Sequence, residues 1–252
     1  MMIFLSIINH HHDQMIIDNK ELALISKKYN IVIKSNTKAS TALINYTNKY
    51  NIQLIDESYG LGFGCNNNYI FSYLQNTKQI SNKDYFLVIN PDVTITLDEL
   101  QKLEKNVNKT TSDIYTIDLY HDIFFTQPEL SIKKFPTILG PIMGLISKTT
   151  RNDAYNKSKI TKPTIIDWAA GSFLLFTKSA YETLNGFDGK YFMYFEDVDI
   201  CRRAKQKKMH LMYLPNIKAI HKGAFNNRNI LSKHFRWYLK SYLIYHYLTI
   251  TK

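Results

Sequence analysis

The run Tyr191-Phe192-Met193-Tyr194-Phe195-Glu196-Asp197-Val198-Asp199-Ile200-Cys201-Arg202-Arg203 sets three carboxylates within four positions, among aromatics, in a chain whose formal charge is +11. Like charges this close raise one another's pKa, and aromatic flanks add desolvation in the same direction. A carboxylate held that way is poised to accept a proton. A second reading stands beside it. The acids open a helix, complement its macrodipole and share that helix with Arg202 and Arg203.

Other residues carry chemistry by position. Asn90-Pro91-Asp92 follows an apolar strand. A carboxylate at a strand terminus, stiffened by proline, suits a hard divalent cation bridging phosphate oxygens, while Asn-Pro is equally a turn initiator. His221 follows an apolar run over 217–220 and reads as a metal ligand or as a buried, satisfied histidine. His10-His11-His12 stands at a strand end and reads as the rim of a site. Gly60, Gly62 and Gly64 do not fit the dinucleotide fingerprint, whose third glycine comes later. They let a backbone approach a phosphate or sugar, with a helix opening near Asn66 to offer N–H groups, or they form a tight strand-to-helix turn. Arg236 and Lys240 grip an anion or line a solvated helix face.

The elements that must position these residues alternate. Short β-branched runs over 3–8 and 31–33 flank a helical stretch over 16–29, and a third strand over 52–55 precedes the glycines. A helix over 66–75, a strand over 85–89 and a helix over 96–107 follow, the last with Thr96 as N-cap and Glu99 three residues on. Such alternation predicts a largely parallel α/β sheet, with ligands beyond the carboxyl ends of its strands at Asn9-His10, Ser35-Asn36 and Asn90-Asp92. The pattern loosens over 126–162, which reads as a long excursion or lid. Strands over 165–176 and 211–214 enclose a helix over 199–207. The tail over 232–252 places Phe235, Leu239, Tyr242 and Tyr245 or His246 at helical spacing beside a basic stripe of Lys233, Arg236 and Lys240.

Composition narrows the classes. The chain of 252 residues suits one compact domain or one with a small appendage. Its two cysteines, Cys65 and Cys201, give no disulfide framework or zinc site and point to a reducing compartment. The start reads as a buried strand, not a signal peptide. No apolar run approaches the roughly 20 residues a bilayer span needs. The positive charge suits nucleic acid, anionic lipid or phosphorylated small molecules. The lysines are scattered and no nucleic-acid motif accompanies them, so no nucleic-acid partner is expected.

Taken in order, Gly62 through Asn68, Ile89-Asn90-Pro91-Asp92-Val93, Asp167-Trp168-Ala169-Ala170-Gly171-Ser172-Phe173, Asn185-Gly186-Phe187-Asp188, Tyr191 through Arg203, Ala219-Ile220-His221 and the tail from Ser232 to Ser241 resemble glycosyltransferase family 2. The closest likeness is to bacterial rhamnosyltransferases of O-antigen and cell-wall assembly. The resemblance implies a GT-A domain over 1–230, a Rossmann-like nucleotide-sugar-binding sheet flanked by helices. An amphipathic helical tail over 231–252 would be suited to membrane association.

It further implies an inverting transfer from a nucleotide-sugar donor, dTDP-L-rhamnose favoured, with Mg2+ or Mn2+ on the diphosphate. The acceptor would be a lipid-diphosphate-linked sugar such as N-acetylglucosaminyl-diphospho-undecaprenol. The enzyme would sit on the cytoplasmic face of a bacterial plasma membrane, against its anionic surface. By this resemblance Asp92 and His221 bind the metal, Asp197 is the general base and Glu196 the second candidate. Asn9, Ser35, Asn36, Gly64, Asn66, Asn67, Asn68 and Asn90 line the donor site, Trp168 and Gly171 lie near sugar and acceptor, and Arg236 meets an anion. Two departures stand out: Ser35 and Asn90 occupy positions where relatives often carry acids. Another donor, a UDP-hexose or a galactofuranose donor, and a non-catalytic nucleotide-sugar-binding protein are the alternatives.

Overall fold

A computed structural model describes residues 1–137, 153–223 and 233–250. The expected boundary at 230/231, residues 138–152 of the excursion, Ser232 and the last two residues of the tail lie outside the described residues. β1 (Ile3–Asn9) is buried along its whole length. Ile3, Leu5 and Ile7 enter one core and Phe4 and Ile8 the other. A continuous apolar strand is what a parallel sheet covered on both faces requires. Where one helix over 16–29 was expected, α1 (Asp13–Asp18) and α2 (Lys20–Ile25) follow, divided at Asn19 by a non-helical ψ of 88°.

β2 (Asn30–Ser35) pairs in parallel with β1. α3 (Thr41–Lys49), capped by the Ser40 hydroxyl, escapes the periodicity because only Leu43 and Thr47 are buried. β3 (Gln53–Ile55) leads to α4 (Phe63–Asn76), which starts three residues before the expected Asn66 because Gly62 itself is the N-cap. β4 (Tyr85–Ile89) and the two-residue β5 (Val93–Thr94) precede α5 (Leu97–Val107). The Thr96 hydroxyl accepts from Glu99 N at 3.2 Å, as the capping pattern predicts.

The second half departs from simple alternation. β6 (Ile114–Tyr120), a strand not anticipated, is followed by β7 (Ile132–Lys133), a 3₁₀ turn at Lys157–Lys159, β8 (Thr164–Ile166), β9 (Trp168–Ala169) and β10 (Phe173–Thr177). Then come α6 (Lys178–Thr183), α7 (Glu196–Gln206), β11 (Leu211–His221) and α8 (Lys233–Ile250). The main sheet runs β3-β2-β1-β4-β10-β6-β11-β5, with β8 on β11, and β7 pairs with β9 apart from it.

β10 is antiparallel to both β4 and β6. Its start therefore lies at the edge where β1, β2, β4, β6 and β11 end. That single edge gathers Asn9, Ser35, Asn90, Ser172 and His221.

α8 is fastened to α7 by aromatics. The rings of Tyr238, Tyr242 and Tyr245 meet Phe195 at centroid distances of 5.5, 5.8 and 5.4 Å. The Arg202 guanidinium lies over Tyr245 and donates to Leu248 O and Thr249 Oγ1. Leu239, one of the residues at helical spacing, is exposed on the opposite face, with Leu243 and Tyr247.

Candidate active site

α7 begins from two consecutive left-handed residues, Tyr194 at φ 69° and Phe195 at φ 66°. Such backbone is costly for side chains with a Cβ and persists where surrounding packing enforces it. Here it aims Glu196 and Asp197 off the first turn toward the sheet edge. Asp197 Oδ2 accepts from Gly171 N at 3.0 Å, and Oδ1 from Val198 N at 2.8 Å. Glu196 is buried, and its Oε2 has no hydrogen-bond partner.

Burial, then the Asp197 charge, pushes Glu196 well above the ordinary carboxylate range. Burial also raises Asp197, against the two backbone N–H groups and the Lys133 charge. The two carboxyls lie side by side and titrate as a pair, with Glu196 the more strongly raised by its lack of a hydrogen-bond partner. Asp199 takes no part. It is fully buried and held by Arg202 at 3.1 Å and Arg203 at 2.6 Å. The acids do open a helix, Glu196–Gln206, that they share with Arg202 and Arg203.

The second centre joins three elements. His221, ending β11, directs Nε2 to Asp92 Oδ1 at 3.3 Å and Nδ1 to Glu129 Oε2 at 2.9 Å. Burial disfavours the imidazolium, but the two carboxylates outweigh it and raise His221 to about 9. Asp92 is held below the usual range: burial opposes this, while the His221 hydrogen bond and charge prevail, with His12 contributing.

Glu129 carried no sequence signal. It arrives on the excursion, which is pinned by Glu129 N to Leu119 O at 2.9 Å and by buried Lys157, whose Nζ meets Asp118 at 2.9 Å and Ser131 Oγ at 2.9 Å. A carboxylate on the far nitrogen of a histidine is the usual support of a metal-ligating ring. Asp92 and His221 therefore fit a divalent cation, which would need further oxygen ligands besides these two. Among the described residues no group of three or more His, Cys, Asp or Glu holds an ion by itself.

Backbone contacts tie the two centres together. Asp197 binds Gly171, Ser172 O accepts from Asn90 N at 3.0 Å, and Ala170 N donates to Ser131 O at 2.8 Å. The segment over 169–172 thus lies between Asp197 on one side and Asn90-Asp92 with residues 129–131 on the other. Gly171 is closely packed: a Cβ would stand 3.2 Å from the Phe63 ring, which would have to give by a few tenths of an ångström, and 3.4 Å from Asp197. The Trp168 indole donates to Lys134 O at 2.8 Å, with the Lys133 ammonium over its ring.

The edge formed by the ends of β1 and β2 and the start of α4 is stiff. Asn9 Nδ2 donates to Ser35 Oγ at 3.0 Å and to Asp13, and its Oδ1 accepts from His12 N. Ser35 is fully buried behind that bond. Asn36 clasps both sides of the Leu61 peptide at 2.8 Å. Asn66 Nδ2 donates to Leu61 O and Gly62 O, and its Oδ1 is buried without a partner. Phe63 N donates to Phe192 O, whose position also forbids a Cβ at Gly62. Gly64 likewise packs flat on Phe187.

The structure does not bring Asn67 and Asn68 to this surface as donor-lining groups. Asn67 is fully buried between Ser6 Oγ and Phe63 O, and Asn68 brackets the Phe187 peptide and the Tyr181 hydroxyl. Sequence alone does not separate a buried amide that braces a helix from one that meets a ligand. Arg236 is exposed on α8, one residue before Trp237, whose ring packs on Phe192 at 4.8 Å.

No family model matches the sequence. Rhamnosyltransferase WbbL of Escherichia coli (strain K12) is 33% identical over 247 residues, covering 95% of this chain and 90% of that protein. N-acetylglucosaminyl-diphospho-decaprenol L-rhamnosyltransferase of Mycobacterium tuberculosis (strain CDC 1551 / Oshkosh) is 32% identical over 111 residues, 43% of this chain and 34% of its own length. The crystal structure of GalNAc-T7 with UDP, GalNAc and Mn2+ superposes with a TM-score of 0.61 at 12% identity, over 96% of this chain and 47% of that one. At that identity the likeness carries the fold alone, which is GT-A.

Proposed function

The chain belongs to the family of bacterial rhamnosyltransferases that includes WbbL, and from that premise we propose its reaction. L-rhamnose passes from dTDP-L-rhamnose, with inversion, to the sugar of a lipid-diphosphate acceptor, N-acetylglucosaminyl-diphospho-undecaprenol or a close analogue. The mycobacterial relative's name supports the acceptor class. The observation that carries the mechanism is the Glu196–Asp197 pair: Glu196 is buried with its acidity weakened, and beside it Asp197, oriented by the Gly171 and Val198 N–H groups, is the carboxylate placed to accept a proton.

Asp197 takes the proton of the attacking acceptor hydroxyl as the new C1–O bond forms. The bond from C1 to the diphosphate oxygen breaks on the opposite face, and the nucleoside diphosphate leaves. Asp92 and His221 would hold Mg2+ or Mn2+, which stabilises charge on the departing diphosphate as a Lewis acid. Glu129 keeps the His221 ring turned so that Nε2 faces Asp92, with which it would share the cation. Asn9, Asn36 and the loop at Gly60–Gly64 present a stiff backbone wall to the nucleotide, and Trp168 and Gly171 border the sugar. Ser35 stands behind Asn9, giving the base pocket no charge of its own.

The acceptor's lipid requires the enzyme at an anionic membrane surface. Among the described residues no helix is long and apolar enough to cross a membrane. The outer face of α8 supports a peripheral contact, since it carries Arg236 and Lys240 beside exposed Leu239, Leu243 and Tyr247. The decisive experiment titrates a panel of nucleotide-sugars calorimetrically with Mg2+ or Mn2+, then measures transfer from the one that binds. Tight binding of dTDP-L-rhamnose with transfer to the lipid-linked sugar is expected. Preference for a UDP-sugar overturns the donor, and wild-type transfer by Asp197→Asn overturns the base.

A further inference from the structure

Immediately after β6 the chain makes a closed loop with an apolar tip. Its base is sealed by His121 N to Gln127 O at 2.9 Å and by the bridge between Tyr120 and Pro128. Within it, the Asp122 carboxylate accepts from the backbone N–H groups of Phe124, Thr126 and Gln127 at 2.6 to 3.2 Å. Phe125 is held left-handed at φ 56°. This over-determined scaffold presents Ile123 and Phe124 outward, 67% and 77% exposed, with Phe125 and Leu130 partly exposed beside them.

Isolated exposed apolar residues are ordinary, but the consecutive Ile123, Phe124 and Phe125 on a braced loop mark an interaction surface. The loop springs from the carboxyl edge of the sheet that carries the candidate active site. It is tied to that site by His121 Nδ1 meeting His221 O at 3.1 Å. A cation sits against it. The Lys218 ammonium lies 5.2 Å from the Phe125 ring centroid and 5.3 Å from that of Tyr120, and exposed Lys222 follows His221. The loop's one acid is engaged by its own backbone.

We infer that the loop over 122–126 is a bilayer anchor, whose Ile123 and Phe124 enter the acyl boundary of an anionic membrane while Lys218 and Lys222 meet lipid phosphates. The inference rests on the reading of a lipid-linked acceptor, and it holds the metal-binding end of the cleft at the surface where that lipid's diphosphate lies.

The test uses the full chain with phosphatidylcholine–phosphatidylglycerol vesicles that contain neither donor nor acceptor. Its outcome is therefore separate from that of the transferase reading. The chain is expected to sediment with these vesicles, and Ile123→Ser combined with Phe124→Ser to lower partitioning roughly ten- to a hundredfold. Both positions are exposed, so circular dichroism of the double variant should match wild type. Phe124→Trp should show emission quenched by brominated lipid beyond that of the native tryptophans. Wild-type partitioning by the double variant, absence of vesicle binding by wild type, or no added quenching overturns the anchor. So does a concentration-dependent dimer that the double variant abolishes without loss of vesicle binding.

Discussion

Around His221 each charge meets its opposite, whereas around Glu196 a carboxylate meets another carboxylate. The ring of His221 stands between Asp92 and Glu129, and His221 and Asp92 are both stabilised in charged form. Glu196 and Asp197 share one helical turn, with an unpartnered buried oxygen and both acidities weakened. Both centres use acids brought to one sheet edge, so residue type does not distinguish their roles. The surroundings do. A fully partnered set can exchange its internal ion pair for a metal ion, while a frustrated pair has a strong affinity for one proton.

The largest expected effects separate the two. Asp197→Asn should lower transfer by roughly 10²–10⁴-fold while Mn2+ binding, followed by electron paramagnetic resonance, stays at its wild-type value. His221→Ala should lose the Mn2+ signal. Loss of the ion in Asp197→Asn would merge the centres and break the comparison. Next in size is Asp199→Ala. Removing this buried partner from Arg202 and Arg203 should cost about 3–5 kcal/mol of unfolding free energy, read in urea, while folded protein keeps its transfer rate. A catalytic loss in the folded protein without destabilisation would return Asp199 to the reacting set. Glu129→Gln sharpens the first centre: it should weaken Mn2+ affinity about 10–100-fold, measured by the same titration. An unchanged affinity would leave His221 oriented by Asp92 alone.

What the sequence made legible was local. The apolar strands β1, β2 and β4, the Thr96 cap and the acidic run each announce themselves within a few residues. Asp92 and His221 were recognisable as candidates, and the fold brings their side chains together. Glu129 was not, because it reaches His221 only through the excursion's anchoring to β6 by Lys157 and Asp118, contacts made across distant parts of the chain. The antiparallel insertion of β10 between β4 and β6 was equally hidden, since strand direction is set by pairing and leaves no periodic mark. Asn67 and Asn68 misled for the converse reason: an amide's hydrogen bonds are decided by its neighbours, here Ser6 and Phe187.

The smallest effect tests the proton assigned to Glu196. Its folded pKa is raised above the unfolded value of about 4.3. The folded protein therefore keeps a proton that the unfolded chain releases once the pH passes that value. Folding stability then falls as pH rises, until the folded group itself ionises. Glu196→Gln removes this slope while keeping the shape of the protonated acid. Relative to wild type the variant should gain about 1.4 kcal/mol for each pH unit across that window, read as a widening difference between thermal melts taken from mildly acidic to neutral buffer. Its transfer rate should change far less than that of Asp197→Asn, because Asp197 remains the carboxylate placed to accept the proton. A difference between the melts that stays constant with pH would mean Glu196 ionises as an ordinary surface glutamate does, and the proton-sharing account of the pair would have to be abandoned.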